Sequence, residues 1–288
     1  MTFALIDECR DQWPVAWLCD ALDVSPAGYY AWRDRPTSPA QRRREEVFDA
    51  MAEIHAEVRQ CYGSPRMAVE LNNRGIPVSE NFVAGLMKAR GIRGKMAKRF
   101  VRTTDSRHDL PVAENLLDRD FTPAGPNEAW GADITYLPTA DGWLYLAVVE
   151  DLFSRRIVGW SMDATMTSRL VVDALHLALG RRRPKAGLLA HSDRGSQYAS
   201  QHYQGLLRQH GIACSMSGVA QCWDNAPVES FFASLKRERD FPAGCTRDDA
   251  KAIVFEYVEL FYNPVRLHSS LGYMAPAEYE RRHNPTLR

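Results

Sequence analysis

The chain has 288 residues, 45% hydrophobic and 25% charged, with 36 basic and 36 acidic side chains. That size predicts about two domains with ample material for a core, and the balanced charge means that any attraction to nucleic acid must be local. No apolar run reaches the roughly 20 residues of a membrane helix, charges come too early in MTFALIDECRDQWP for a secretory signal, and six cysteines without a CxxC pair argue for cytoplasmic thiols and against zinc.

The first third reads as helices joined by short turns. Residues 15–22, the turn DVSP and residues 27–33 predict helix, turn and helix, with Ser25 capping the second. A longer helix is expected over 39–59, where Val47, Met51, Ile54 and Val58 share a face. The pattern then repeats: residues 67–73, the turn RGIP, and a helix capped by Ser79 that runs to about Arg90. Val83, Leu86 and Met87 would face inward, leaving Glu80, Asn81, Lys88 and Arg90 outside. Two such units in tandem fit DNA binding better than one, although helix-turn-helix geometry also occurs in folds that touch no DNA. Residues 81–108 hold Lys88, Arg90, Arg93, Lys95, Lys98, Arg99, Arg102 and Arg107 against Asp105 alone. Such a run is either a phosphate-binding stripe or a solvated charged face.

Residues 103–127 read as a linker, with one short helical turn expected near 114–117. Beyond it the pattern becomes strands and helices. AWGADITYLP, the hairpin TADG, WLYLAVVEDL and RIVGWSM predict three antiparallel strands. A crossover helix starting at Ser168, the buried strand in KAGLLAHSD, the helix QHYQGLLRQHG and the short strand IACSMS follow. Together they predict a mixed α/β sheet. A helix over 247–262 and another in APAEYERR close the chain.

Between the fifth strand and those closing helices lies WDNAPVESFFASLKRERD. Asp224 or Asn225 can cap a helix there, and Pro227 suits its first turn. Val228, Phe231, Phe232 and Leu235 form a buried stripe, Ser230, Ser234 and Arg237 point to the back, and Glu229, Ala233 and Lys236 share a flank. A glutamate in the first turn is favoured by the helix dipole whatever else it does. Asp133 interrupts an apolar strand, and Asp193 follows one at its carboxyl end, where open α/β sheets bind ligands. Either is also an ordinary residue for its local position. Asp193 and Glu229 are separated by 35 residues. Three carboxylates without a His/Cys cluster favour magnesium or manganese, and such acids holding two ions serve in-line phosphoryl transfer.

The stretches WGADITYL, VVEDLFSRRIVGW, HSDRGSQY, DNAPVESFFASLK and YNPVRLHSSLGYMAPAEY, with YGSPRMAVEL nearer the front, resemble the OrfB transposases of the insertion-sequence-three family, within the retroviral integrase superfamily. The resemblance covers nearly the whole chain. It implies an α/β, RNase H-like (retroviral integrase-like) catalytic core preceded by an all-α helix-turn-helix region. It implies Asp133, Asp193 and Glu229 as catalytic, metal-binding acids with two Mg2+ or Mn2+ ions, and Lys236 as a contact to transposon-end DNA. The zinc module of retroviral integrases is absent, replaced by helix-turn-helix units.

The expected organisation is a helix-turn-helix-like segment over 1–38, a second such region with a basic tail over 39–102, a linker over 103–127, the core over 128–240 and a helical extension over 241–288. Lys88, Arg90, Arg93, Lys95, Lys98, Arg99 and Arg102 are the other candidate DNA contacts, and Asn225 a cap that also touches DNA. His191 and Ser192 are expected to shape the loop of the second acid, His191 without acting as a general base. Trp143 and Trp160 are expected in the core, while YNPVRLH fits either the core or a DNA contact.

The predicted function is therefore metal-dependent cleavage of transposon ends and transfer of the 3′-hydroxyl to target DNA, by resemblance through an excised circle. Double-stranded DNA, a homo-oligomer in the synaptic complex and an upstream-frame (OrfA) or fusion partner are the expected partners. A bacterial, nucleoid-associated location in the cytoplasm is expected, with no membrane. The competing readings are a non-catalytic DNA-binding regulator and an RNase H-like nuclease.

Overall fold

A computed structural model describes residues 2–95, 112–218 and 222–284, without the side chains of Cys222 and Trp223. Lys98, Arg99 and Arg102 lie outside the described residues. Two compact units result, Met1–Glu53 and Ile54–Arg288.

In the first unit, α1 (Thr2–Cys9), α2 (Val15–Ala21) and α3 (Pro26–Arg33) enclose Ile6, Cys19 and Tyr29. The second and third are the predicted pair, and Ser25 Oγ accepts from Gly28 N as expected of the cap. The first was not predicted; Phe3 and Ile6, one turn apart, supply its apolar face. α4 (Pro39–Glu57) runs from this unit into the next.

The second unit continues with α5 (Ser64–Asn73) and α6 (Glu80–Ala89), joined by a turn in which Asn72 bonds both the Val78 carbonyl and amide. Ser79 caps α6 by accepting from Phe82 N, and Met67, Leu71, Val83, Leu86 and Met87 are buried.

Five strands form one sheet: β1 (Ala129–Thr139), β2 (Gly142–Asp151), β3 (Arg156–Asp163), β4 (Leu189–Ser192) and β5 (Ala213–Met216), in the order β3-β2-β1-β4-β5. β1 to β3 are antiparallel neighbours, and β4 and β5 add parallel to β1. The turn from β1 to β2 needs a positive φ, met by Gly142 at +96°.

α7 (Ser168–Arg182) crosses one face and buries Leu170, Val171, Ala174, Leu175 and Ala178. It comes so close to β3 that a Cβ on Gly159 would overlap the Ala174 carbonyl. α8 (Ser196–Ala199) and α9 (Gln201–Gln209) connect β4 to β5. α10 (Ala226–Glu238) packs against β1 and β2, followed by α11 (Arg247–Phe255) and α12 (Pro276–His283).

Three expectations are corrected. Residues 114–117 are not a helical turn: Met216 N donates to the Glu114 carbonyl and Ser215 Oγ accepts from Leu116 N and Leu117 N, so the chain lies along β5. The helix expected over 247–262 changes at Glu256 into a π-helical run to Tyr262, a widened turn that buries Tyr257, Val258, Phe261 and Tyr262. Trp143 is not core; it is 49% exposed, with its ring edge against Tyr136. Trp160 is half-buried and donates to Glu259 Oε1 at 2.7 Å.

Candidate active site

The parallel pairing of β1 with β4 sets Ala132 opposite Ser192. Asp133 is the next residue on β1 and Asp193 the first residue beyond β4; the two strands run about 4.8 Å apart. Asp133 Oδ1 accepts from Ile134 N at 2.8 Å, and Asp193 Oδ1 accepts from Gly195 N at 2.9 Å. A Cβ at Gly195 would stand 3.0 Å from that same Oδ1, so the glycine leaves Asp193 room to turn back on its loop. Both aspartates are half-buried.

Glu229 enters from the helix, in the first turn of α10. Two contacts set its height along β1. At the start of α10, Asn225 Nδ2 donates to the Ala132 carbonyl at 3.0 Å. At the end, Lys236 Nζ donates to Thr135 Oγ1 at 2.6 Å. Glu229 lies between these two ties, and Asp133 lies between their acceptors. The approach is close: a Cβ on Gly131 would sit 2.9 Å from Val228 Cγ2.

Lys236 is half-buried, with its ammonium 5.2 Å from the centre of the Tyr136 ring. Burial pulls its pKa down to about 8, while the nearby Asp133 carboxylate favours the cation. Tyr198 was not singled out from the sequence. Its hydroxyl is buried and has no hydrogen-bond partner among the described residues, and its ionisation is pushed well up, by burial first and then by the carboxylates of Asp133 and Asp193. An apolar ring ending in a polar atom, five residues after Asp193 in HSDRGSQY, was the available signal.

His191 is fully buried between Ser215 Oγ at 2.8 Å and Ser217 Oγ at 3.3 Å. Burial lowers its pKa to about 4, so the ring is neutral at pH 7. Ser192 Oγ donates to the Asp193 carbonyl, and Ser217 N donates to the Ser192 carbonyl. These bonds hold the end of β4 and the start of the Asp193 loop.

Several predicted residues are placed differently from expectation. Asn225 stands at the N-cap position without a side-chain cap, because its amide is turned into the protein toward Ala132, and it is only 5% exposed. Asp224 does not cap the helix either; it holds Arg119, Asn115 and the Gly218 amide. Burial would raise its pKa, but these donors bring it below the usual carboxylate value. Ser234, expected on the outer face, is buried and accepts from Arg266 Nη2 at 3.1 Å.

Most of YNPVRLH packs into the interior, while Pro264 and Val265 are exposed. Asn263 bonds both backbone groups of Ile157, Tyr262 meets His268 at 3.0 Å, and Arg266 is 1% exposed. In the basic run, Lys88, Arg90 and Arg93 are exposed. Lys95 instead donates to Asp240 Oδ2 at 2.7 Å and to the Glu238 carbonyl at 3.3 Å.

Among the described residues, no three His, Cys, Asp or Glu side chains are gathered closely enough to hold a metal ion as they stand. The side chains nevertheless suit a hard divalent cation: Asp133, Asp193 and Glu229 offer only carboxylate oxygens.

Comparison with known proteins decides the family. An integrase core domain model matches residues 123–222, a second integrase core model matches 210–276, and an HTH-like domain model matches 42–100. The chain is 40% identical over 288 residues to the transposase InsF for insertion sequence IS3A of Escherichia coli strain K12, covering 98% of this chain and 99% of that one. It belongs to the IS3-type transposase family. The IS3-type transposase is also 41% identical over 268 residues to a 31 kDa protein of insertion element IS600 from Shigella sonnei, covering 93% of this chain and 98% of that one. Among solved structures it is similar to the HTLV-2 integrase catalytic core domain in complex with magnesium, at 16% identity and a TM-score of 0.41, covering 54% of this chain and 97% of that one. The transposase thus joins an HTH-like region to an integrase core built on a mixed α/β sheet. No helix among its described residues is long and apolar enough to cross a membrane.

Proposed function

We propose that this transposase cuts the ends of its insertion sequence and joins the freed 3′-hydroxyl to target DNA, with Asp133, Asp193 and Glu229 as its catalytic acids. The observation that carries the reading is the meeting of three elements: two aspartates one step beyond paired residues of adjacent parallel strands, and a helix tied to β1 on both sides of Glu229. The three carboxylates would hold two Mg2+ or Mn2+ ions, which supply activation of the attacking water or hydroxyl and stabilisation of the leaving oxygen in an in-line displacement.

The remaining work falls to the chain itself. Asn225 holds the start of α10 on β1 and so aims Glu229. His191, neutral and fixed by two serines, keeps the Asp193 loop in place without exchanging protons. Tyr198 excludes water beside both aspartates. Lys236 reaches a phosphate of the bound end from the same helix flank as Glu229, about 10 Å further along.

Lys88, Arg90 and Arg93 are the exposed cations that would follow the DNA backbone from α6, joined by Lys98, Arg99 and Arg102 in the segment beyond. Synapsis of two ends requires at least two protomers, and an upstream-frame protein or fusion is the natural partner.

Incubating the protein with magnesium and labelled duplex ends tests the reading. Joined products are expected, and Asp133→Asn, Asp193→Asn and Glu229→Gln should each abolish cutting and joining while thermal melting, and end binding at mildly acidic pH, stay near wild type. Full strand transfer by any of the three would remove that residue from the site. Degradation without joining would favour a nuclease, and binding alone a regulator.

A further inference from the structure

Glu238, the last residue of α10, is a buried carboxylate shared by three parts of the second unit. Arg266 of the C-terminal segment grips it with two 2.7 Å hydrogen bonds, and Tyr257 Oη donates at 3.0 Å. From the helix-turn-helix side, Arg66 of α5 brings Nη1 within 3.7 Å. Burial would raise the Glu238 pKa, but Arg266 and then Arg66 hold the carboxylate ionised.

The same corner gathers the two chain ends of the α5–α6 module. Lys95 N donates to the Gln60 carbonyl at 3.0 Å, so the strand leaving α6 is bonded to the strand entering α5. Gly94 lies against that entry: an added Cβ would be 2.9 Å from backbone atoms of Tyr62 and Gly63. Tyr62 Oη donates to the Val265 carbonyl at 3.2 Å and accepts from Leu267 N at 3.0 Å. Cys61 Sγ and Lys95 Nζ both donate to the Glu238 carbonyl. The module is thereby fastened to the end of the helix whose start carries Glu229.

We infer that this corner sets the register of the reaction: it fixes the distance from the DNA sequence held by α6 to the phosphodiester presented to the acids, with Arg66, Gly94 and Glu238 as positioning residues. The inference rests on the function proposed above. Successive phosphates on one strand advance about 3.4 Å along the duplex axis. Play of that size between module and core would bring a neighbouring phosphate into the site. A rigid corner therefore selects one bond, and a loosened corner should cut at several. It also gives YNPVRLH a task, since Val265, Arg266 and Leu267 supply the core side of the fastening.

The test has two readouts. Cut positions on a labelled end are mapped at single-nucleotide resolution for wild type, Gly94→Ala, Arg66→Met and Arg66→Lys, together with the total amount cut. In parallel, spin labels carried on non-natural side chains at the exposed Ala89 and Ala140 report the distance distribution between α6 and the β1–β2 turn. Wild type should show one cut and a narrow distribution. Gly94→Ala and Arg66→Met should spread cuts to bonds one or two nucleotides away and broaden the distribution, with Arg66→Lys nearer wild type. Less cutting at an unmoved position, or a distribution that stays narrow in both variants, would overturn the inference. If wild type itself cuts no ends, the proposed function fails while the distance measurement still decides whether the corner is rigid.

Discussion

Lys236 Nζ donates to Thr135 Oγ1 at 2.6 Å, two residues along the strand from Asp133, whose carboxylate favours the lysine's charge. The cation on the Glu229 flank of α10 is therefore held by the strand that carries Asp133. A hydroxyl, an aromatic ring 5.2 Å away and a neighbouring carboxylate offset the cost of partly burying an ammonium group.

On the proposed function, that environment should make end binding sensitive to pH. Burial lowers the Lys236 pKa to about 8, so its charge is lost as pH rises through that value. Affinity for a labelled end should fall across this window in wild type and stay level in Lys236→Arg. Lys236→Gln should bind weakly throughout, with a salt dependence shallower by about 0.9 in log–log slope, as expected for one lost phosphate contact. Asp133→Asn should bring the affinity drop to lower pH, because it removes the charge that favours the cation. The unfolded chain binds more protons than the folded one just above pH 8, so this lysine's contribution to stability rises with pH there. A wild-type affinity curve as level as that of the arginine variant would separate Lys236 from DNA binding.

Gly131 offers a way to displace the site without touching an acid. An added Cβ would press on Val228 Cγ2 at 2.9 Å and Leu152 Cδ2 at 3.2 Å, forcing α10 away from β1. Gly131→Ala should cost about 1–3 kcal/mol of stability, the usual range for overpacking. Because Glu229 follows Val228, cutting by the folded protein should fall as well, by as much as ~100-fold for a shift near 1 Å. Thermal melting and single-turnover cutting measured side by side check this; a lowered melting temperature with unchanged cutting would argue that α10 does not aim the acid.

The pairing of Arg266 with Glu238 predicts a large coupling. Both are almost wholly buried, and removing one partner leaves the other charge stranded. Arg266→Met or Glu238→Met should each cost roughly 3–5 kcal/mol, while the double replacement should cost much less than the sum. Chemical denaturation of the four proteins measures the cycle. Additive losses would mean that the ion pair is incidental to the packing around it.

The five strands and most helices were legible because they rest on periodicity: alternation in β1 to β3, an apolar run before Asp193, and the Val228, Phe231, Phe232 and Leu235 stripe on α10. Asp133, Asp193 and Glu229 stand out in the sequence through spacing and motif, but their surroundings do not, since these depend on the parallel register of β1 with β4 and on the ties at Ala132 and Thr135. Local patterns also misjudged residues whose partners lie far along the chain. Ser234 looked exposed on one helix but is covered by Arg266, and Asn225 looked like a cap but bonds a strand 93 residues earlier. Residues 114–117 had the composition of a helical turn, but their backbone groups bond to Ser215 and Met216 of β5.

The order in which these parts leave the ribosome has a consequence. β1 and β4 emerge long before α10, and α10 ends on a carboxylate that Arg266 must meet. A nascent chain halted before that arginine already has the ties of α10 to Ala132 and Thr135, but the Glu238 charge faces inward with its principal partner missing. The far end of α10 therefore settles only when nearly the whole chain has been made, and a product cut short before Arg266 carries a stranded charge at that corner.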